Sequence, residues 1–203
     1  MPVRSKRKAG RIPKPRGTVV SVRVILHQPD DPYDIIFRRG RKMLRLVGGK
    51  RGPGERAKHR LRIEIKEEVK ATVRRKPRFF CVLDQPNRFV ELDVAEWEEL
   101  GFDCTGLNSK GTVHAWNHQC DVFIAEAAKK VTPRVVEGRD VFSIDIRKYR
   151  ERSGKSKKKR VIDPLDQVSP SHRVVLKAYR RWLKHENGER KVIPGRIVYR
   201  DTE

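Results

Sequence analysis

Glu64, Glu67 and Glu68 stand at i, i+3 and i+4 in a stretch whose apolar residues, Ala57, Leu61, Ile65 and Val69, recur every fourth position. That spacing predicts a helix from about residue 55 to Val69, with the carboxylates gathered along one side of it. Like charges at these offsets repel by about 0.2–0.5 kcal/mol per pair, so the cluster calls for a compensating cation. A hard divalent ion, Mg²⁺ or Mn²⁺, takes oxygen ligands and can activate a water or steady a phosphate leaving group. The plain alternative is a solvated acidic face paired with Arg60, Arg62, Lys66 and Lys70. Glu55, at the expected helix start, sits near the positive end of the helix dipole.

The residues upstream decide between these two readings. Gly48-Gly49-Lys50 precedes Pro53-Gly54-Glu55, and Gly49, Glu55, Glu64, Ile65, Glu67 and Glu68 fall at fixed intervals. This wording resembles the Nudix box, G-x5-E-x7-R-E-U-x-E-E-x-G-U, where U is a bulky aliphatic residue. The glycine and four glutamates alone would coincide by chance in roughly 3 of 10,000 chains of this length. The resemblance implies an α/β fold, a Nudix-type α/β/α sandwich with a mixed β-sheet between helices. It implies that Glu64, Glu67 and Glu68 are catalytic and bind Mg²⁺ (or Mn²⁺), with the Gly49 carbonyl region completing the metal site. Glu55 would support the cluster without touching the ion. It also implies a substrate made of a nucleoside diphosphate linked to a moiety X.

The pattern is broken at Ile63, where the family places an arginine that holds the glutamates. Lys70 and Ala71 stand where glycine and a bulky aliphatic residue are usual. An isoleucine cannot replace a charged bidentate fork; Arg60 or Arg62 could reach the cluster only from another angle around the helix. The catalytic base is expected outside the box. Glu137, in the loop before Val141–Ile146, is the first candidate, and Glu126, at the end of a strand, is the second. His114, His118 and Cys120 alternate along a strand and could make a small zinc site, but ordinary packing accounts for them better.

Positioning these residues takes a full α/β domain, and 203 residues suffice for one with tails. Alternation predicts a strand over Thr18–Pro29, short strands over Asp34–Arg39 and Met43–Val47, and strands at Ala71–Val73 and Arg78–Leu83. A strand at Phe89–Leu92 and a short helix at Val94–Leu100 follow. Val113–Ala128 is long enough for one central strand or a pair, and Val141–Ile146 alternates again. Ser169 and Pro170 open an amphipathic helix to His185. The expected organisation is a flexible basic arm (1–16), a domain over 17–186 and a tail (187–203). An exposed basic loop over 147–160 is inserted before the last helix.

Forty-nine Lys/Arg against 26 Asp/Glu give a net charge of +23, which points to a polyanionic partner. Charge of this kind supplies affinity and salt dependence without sequence specificity. Lys50, Arg51, Lys155, Lys157, Lys158, Lys159 and Arg160 are the expected phosphate- or RNA-binding residues, with Arg38–Lys42 as a further positive loop. The arm lacks the apolar core of a secretory signal. Three widely spaced cysteines suit a reducing cytoplasm, with a mitochondrial location as the alternative raised by the arginine-rich start. No stretch is long and apolar enough to span a membrane. Two functions stand side by side. One is a Mg²⁺-dependent hydrolase cleaving the pyrophosphate link of a nucleotide or of RNA 5′ ends. The other is a catalytically weakened RNA-binding protein of the same fold, for example ribosome-associated.

Overall fold

The computed structural model describes residues 18–52, 54–91, 113–152, 159–184 and 195–200. The first strand, β1 (Thr18–Gln28), organises the rest. Its neighbours in sequence are β2 (Asp31–Arg39), β3 (Leu44–Leu46) and helix α1 (Ala57–Val69). After them come β4 (Arg78–Glu91), β5 (Val113–Glu126), β6 (Arg134–Val136) and β7 (Arg139–Asp145). The chain continues through β8 (Tyr149–Arg152), β9 (Lys159–Ile162), a short 3₁₀ turn (Pro164–Gln167), helix α2 (Pro170–Lys184) and β10 (Arg196–Val198).

One sheet runs in the order β10-β4-β5-β1-β2-β7-β6, with β3 paired to β2. It is mixed: β1 runs parallel to β5 and β10 parallel to β4, while the other pairings are antiparallel. The central strand β1 pairs with β5 from Thr18↔Asn117 to His27↔Glu126. It pairs with β2 only at its far end, at His27↔Ile35 and Gln28↔Asp31. Nearer its start β1 is bridged to the chain that follows β3, at Val24↔Val47 and Ser21↔Lys50. Backbone groups there must find partners, and Val22 N–H bonds to the Gly49 carbonyl at 2.9 Å. The glycine loop is therefore sewn onto the middle of the sheet.

Period-2 alternation in β1 divides the core. Val22, Val24 and Leu26 face α1 and pack with Leu61, Ile65 and Val69, while Ile25 faces α2 and packs with Val175, Leu176 and Tyr179. Each fully buried aliphatic side chain contributes about 2 kcal/mol. Phe80, Tyr179 and Trp182 form an aromatic group on the α2 side, with ring centroids 5.6–6.0 Å apart. The result is the expected α/β/α sandwich.

Several expectations change in detail. Val113–Glu126 is one long strand, and β4 carries the expected Arg78–Leu83 and Phe89–Leu92 pieces in a single run to Glu91. Of Ala71–Val73 only Val73 joins a ladder, as a bridge to Ala127. The short helix over 94–100 lies outside the described residues. The basic stretch expected as a structureless loop holds the hairpin β8–β9, with Tyr149 opposite Ile162 and Arg150 opposite Val161. β-favouring residues at its ends outweigh the charge between them. Residues 196–198, in the expected tail, add β10 to the sheet edge. Ser169 donates its own N–H to Leu44 O and accepts Arg173 N–H at its carbonyl, but its hydroxyl makes no cap bond. No helix among the described residues is long and apolar enough to cross a membrane.

Candidate functional site

Helix α1 turns Glu64 and Glu68 inward, one turn apart on the same side as Leu61 and Ile65; both are buried, at 4% and 7% exposure. Glu67 points to solvent. The structure therefore brings two of the three expected carboxylates together and leaves the third at the rim. Among the described residues no three carboxylate, imidazole or thiol groups converge as a metal-binding set.

The glycine loop meets these carboxylates at van der Waals limits. A Cβ at Gly49 would lie 1.9 Å from Glu64 Oε1, so only glycine lets the carboxylate rest against this backbone. Gly48 has φ +135, and a Cβ there would fall 2.1 Å from Val22 O. Its N–H donates to Glu68 Oε2 at 2.9 Å. The Gly49 carbonyl, expected at the metal site, already accepts Val22 N–H and retains one lone pair. Glu55 lies before the helix and accepts Gly52 N–H at 3.1 Å, so it ties the loop closed. Arg56 is the N-cap, without a side-chain cap bond.

Both buried carboxylates are paired with arginine. Arg38 of β2 contacts Glu68, and Arg60 contacts Glu64 across one helical turn. Arg60 thus does from its own angle what Ile63 cannot. Arg38 was expected in a phosphate-holding loop; instead it is a strand residue whose guanidinium is engaged by Glu68. Burial pushes the Glu68 carboxyl above the ordinary carboxylate range despite the Gly48 N–H and Arg38 beside it. Burial likewise pulls Arg38 below its ordinary value, against the opposing pull of Glu68. For both partners the loss of water outweighs the pairing, the usual balance for a buried ion pair.

Lys70 departs from the motif without departing from the fold. It takes the left-handed conformation at the helix C-cap, φ 51, where glycine is the easy residue, and its N–H still closes on Lys66 O at 3.1 Å. Glu126 is tied to Arg74 at 3.0 Å, and this partner holds its carboxyl below the ordinary range. It stands level with His27, five positions along β1 from Val22, about 16 Å away at about 3.3 Å per residue. Glu126 is thus fixed by structure, away from the cluster. Glu137 is exposed at the β6–β7 turn, where Glu137 (φ 49) and Gly138 (φ 69) form a tight hairpin. Val141, in the same hairpin, pairs with Arg38.

Arg51 is bound to Asp121 at 3.3 Å and Lys50 is bridged to Ser21. Lys155, Lys157 and Lys158 lie outside the described residues, and Lys159 and Arg160 open β9. His118 Nδ1 is 2.8 Å from Gln85 Oε1, and Cys120 is buried in the α2-side core. Both are used in packing; the side chain of His114 is outside the described residues. Sequence reading missed Arg38 as the partner of Glu68, because only the fold brings β2 to α1.

A Nudix hydrolase from Nitrosomonas europaea has a similar structure, with TM-score 0.51 at 14% identity over 93% of this chain and 82% of that one. The chain has the Nudix fold. A MutT protein from Bacillus halodurans superposes with TM-score 0.49 at 13% identity, covering 90% of this chain and 91% of its own. No family model matches the sequence, and no curated protein matches it.

Proposed function

We propose that the chain is a Nudix-type hydrolase cleaving the pyrophosphate link of a nucleoside-diphosphate-X substrate, a nucleotide or an RNA 5′ end, with Mg²⁺ or Mn²⁺. The observation that carries this reading is the burial of Glu64 and Glu68 against a glycine whose missing Cβ makes their space. Two buried carboxylates that their arginines do not fully compensate fit a hard cation. Mg²⁺ is commonly held by one or two carboxylates, with phosphates and waters completing its shell. Glu64 and Glu68 would hold the ion, and Glu67, at the rim, would serve as a third ligand once substrate and ion are present. The bound ion would supply charge for the phosphate oxygens and a more acidic water.

The chain's own residues do the rest. Arg38 and Arg60 keep the two carboxylates oriented, and the Glu55–Gly52 bond holds the loop shape. Lys50 and Arg51 stand on that loop beside the pyrophosphate. Glu137 remains the candidate base, carried on the hairpin that also bears Arg139; Arg139 acts electrostatically on Arg38. The test is hydrolysis of a substrate panel, including 5′-triphosphorylated RNA, with and without Mg²⁺. Wild type should turn over at least one substrate, and Glu64→Gln or Glu68→Gln should abolish it; equal behaviour of all three proteins defeats the proposal.

A second reading rests on the same carboxylates. With Arg38 and Arg60 neutralising them and Ile63 in the arginine position, the chain would be a Nudix-fold protein kept for RNA binding. Its affinity would fall steeply with salt, and removing residues 1–16 would flatten that slope.

A further inference from the structure

A cleft of about 380 Å³ opens on the α2 side of the sheet, next to the carboxylate pair. Leu83 and Cys120 form part of its floor, and Ser169–His172, at the start of α2, form one wall. Its charged lining is Arg23, Arg41, Lys42 and Arg45, with no aspartate or glutamate. None of these four side chains has an ion pair with a described residue. Solvent reaches Arg45, yet it is held below the ordinary arginine value, first by partial burial and then by the crowding of Arg23, Arg139 and Arg41. The buried hydroxyl of Ser169 on the wall has no partner.

The contrast with the other basic cleft, between Tyr33 and the far end of α2, is informative. There Arg180 is bound to Asp163, Arg147 to Asp31 and Asp145, and Lys148 approaches Asp163. That surface is largely neutralised by the protein itself. The cleft beside α1 is not, and like charges held together without counter-charge favour a bound anion. Arg23 joins the cleft to the chemistry, because it acts electrostatically on both Glu68 and Arg45. The helix dipole of α2 adds positive potential from the Ser169–His172 wall.

We propose that this cleft is an anion subsite for a phosphate carried by X, so that the substrate is phosphorylated beyond the pyrophosphate bond that is cut. This rests on the hydrolase reading and narrows its substrate class. A sugar phosphate, a second nucleotide or the first phosphodiesters of an RNA end all present the group that Arg23, Arg41, Lys42 and Arg45 would bind. Its volume lies near the lower end of ligand pockets, enough for a compact phosphorylated group.

Binding can be read without turnover, using inorganic tripolyphosphate as probe and isothermal titration at two salt concentrations. The Arg41→Gln/Arg45→Gln variant should weaken binding about 10-fold or more, as expected for losing two charge-assisted contacts. Lys177→Gln/Arg181→Gln removes the same charge from the other basic cleft and should change binding less than about 2-fold. Arg41→Gln/Lys42→Gln, both exposed, repeats the test if the first pair folds poorly. Equal loss in both clefts, or no saturable binding to wild type, overturns the proposal. Substrates separate its sources and its premise. ADP-ribose has an uncharged X, ADP-ribose phosphorylated on the terminal ribose has a charged one, and a 5′-triphosphorylated dinucleotide represents RNA. Selective loss of tripolyphosphate binding with no hydrolysis of any of the three keeps the subsite and removes the enzyme. Hydrolysis that favours uncharged X and ignores the variants removes the subsite and keeps the enzyme.

Discussion

Replacing Gly49 by alanine puts a methyl carbon 1.9 Å from Glu64 Oε1 and 2.5 Å from its Cδ. Both atoms are at the end of a rotatable side chain, so the backbone can stay while the carboxylate swings away from the loop. The expected stability loss is about 1 kcal/mol, from partial loss of the Arg60 pairing and repacking of one side chain. The expected functional loss is about 100-fold, because a displacement of about 1 Å at a reacting centre has that effect. Gly48→Ala is the comparison. Its methyl meets Val22 O at 2.1 Å, a backbone atom fixed by the sheet, and φ +135 is strained for any L side chain. Strain and overpacking together should destabilise by about 3–5 kcal/mol. For a domain of this size that lowers the melting temperature by about 10 °C or more. Thermal denaturation followed by circular dichroism, with hydrolysis and Mg²⁺ titration on the same samples, separates the two. The reasoning is refuted if Gly49→Ala keeps full activity, or if it melts as early as Gly48→Ala.

Other expectations can be checked alongside. Arg38→Ala strips a buried carboxylate of its partner and should destabilise by about 3 kcal/mol in urea titration, more than Arg60→Ala at about 1 kcal/mol. Lys70→Gly should raise stability by about 0.5–1 kcal/mol, since a lysine now occupies a left-handed position; an unchanged or lower midpoint contradicts this. Asp163 is held down to about 2 from 3.8, chiefly by the hydrogen bond from Arg180. A depressed carboxyl stabilises above its unfolded value, so about 2 kcal/mol should be present at pH 6 and lost as pH falls from about 4 to about 2. The stability gap between wild type and Asp163→Asn should close over that range, and a pH-independent gap speaks against it. Burial pushes the Cys81 thiol up to about 12, and Cys120 is buried beside it. A Cys104→Ser variant should show no reactive thiol at pH 8 until it is denatured.

The parts of the site set by local spacing were legible from the chain. Leu61, Ile65 and Val69 placed α1, and the offset of Glu64 from Glu68 put both on its inner side. Glu67, on a different angle of the helix, was grouped with them because a motif records types and intervals and carries no burial. Arg38 could not be found this way, because its pairing with Glu68 depends on β2 lying beside α1. The region 147–160 was misread for the opposite reason. Its charge density hid a pairing that joins Tyr149 to Ile162 across residues of no apolar pattern. β10 was equally hidden, since three residues at a sheet edge leave almost no periodic signal.

The central strand has a consequence for how the chain reaches this state. β1 bonds to the glycine loop through Val22, Val24 and Ser21, and its other edge must wait for β5, whose residues enter the chain long after the loop and α1. Parallel pairing at that separation is slow to form and expensive in loop closure. An emerging chain would hold the box sequence for many seconds beside a half-finished sheet, at synthesis rates of about 5–20 residues per second. Cutting the chain before Val113 should therefore give a product that contains every residue of the box and binds no cation specifically. In this molecule the motif is a promise that only the second half of the chain fulfils.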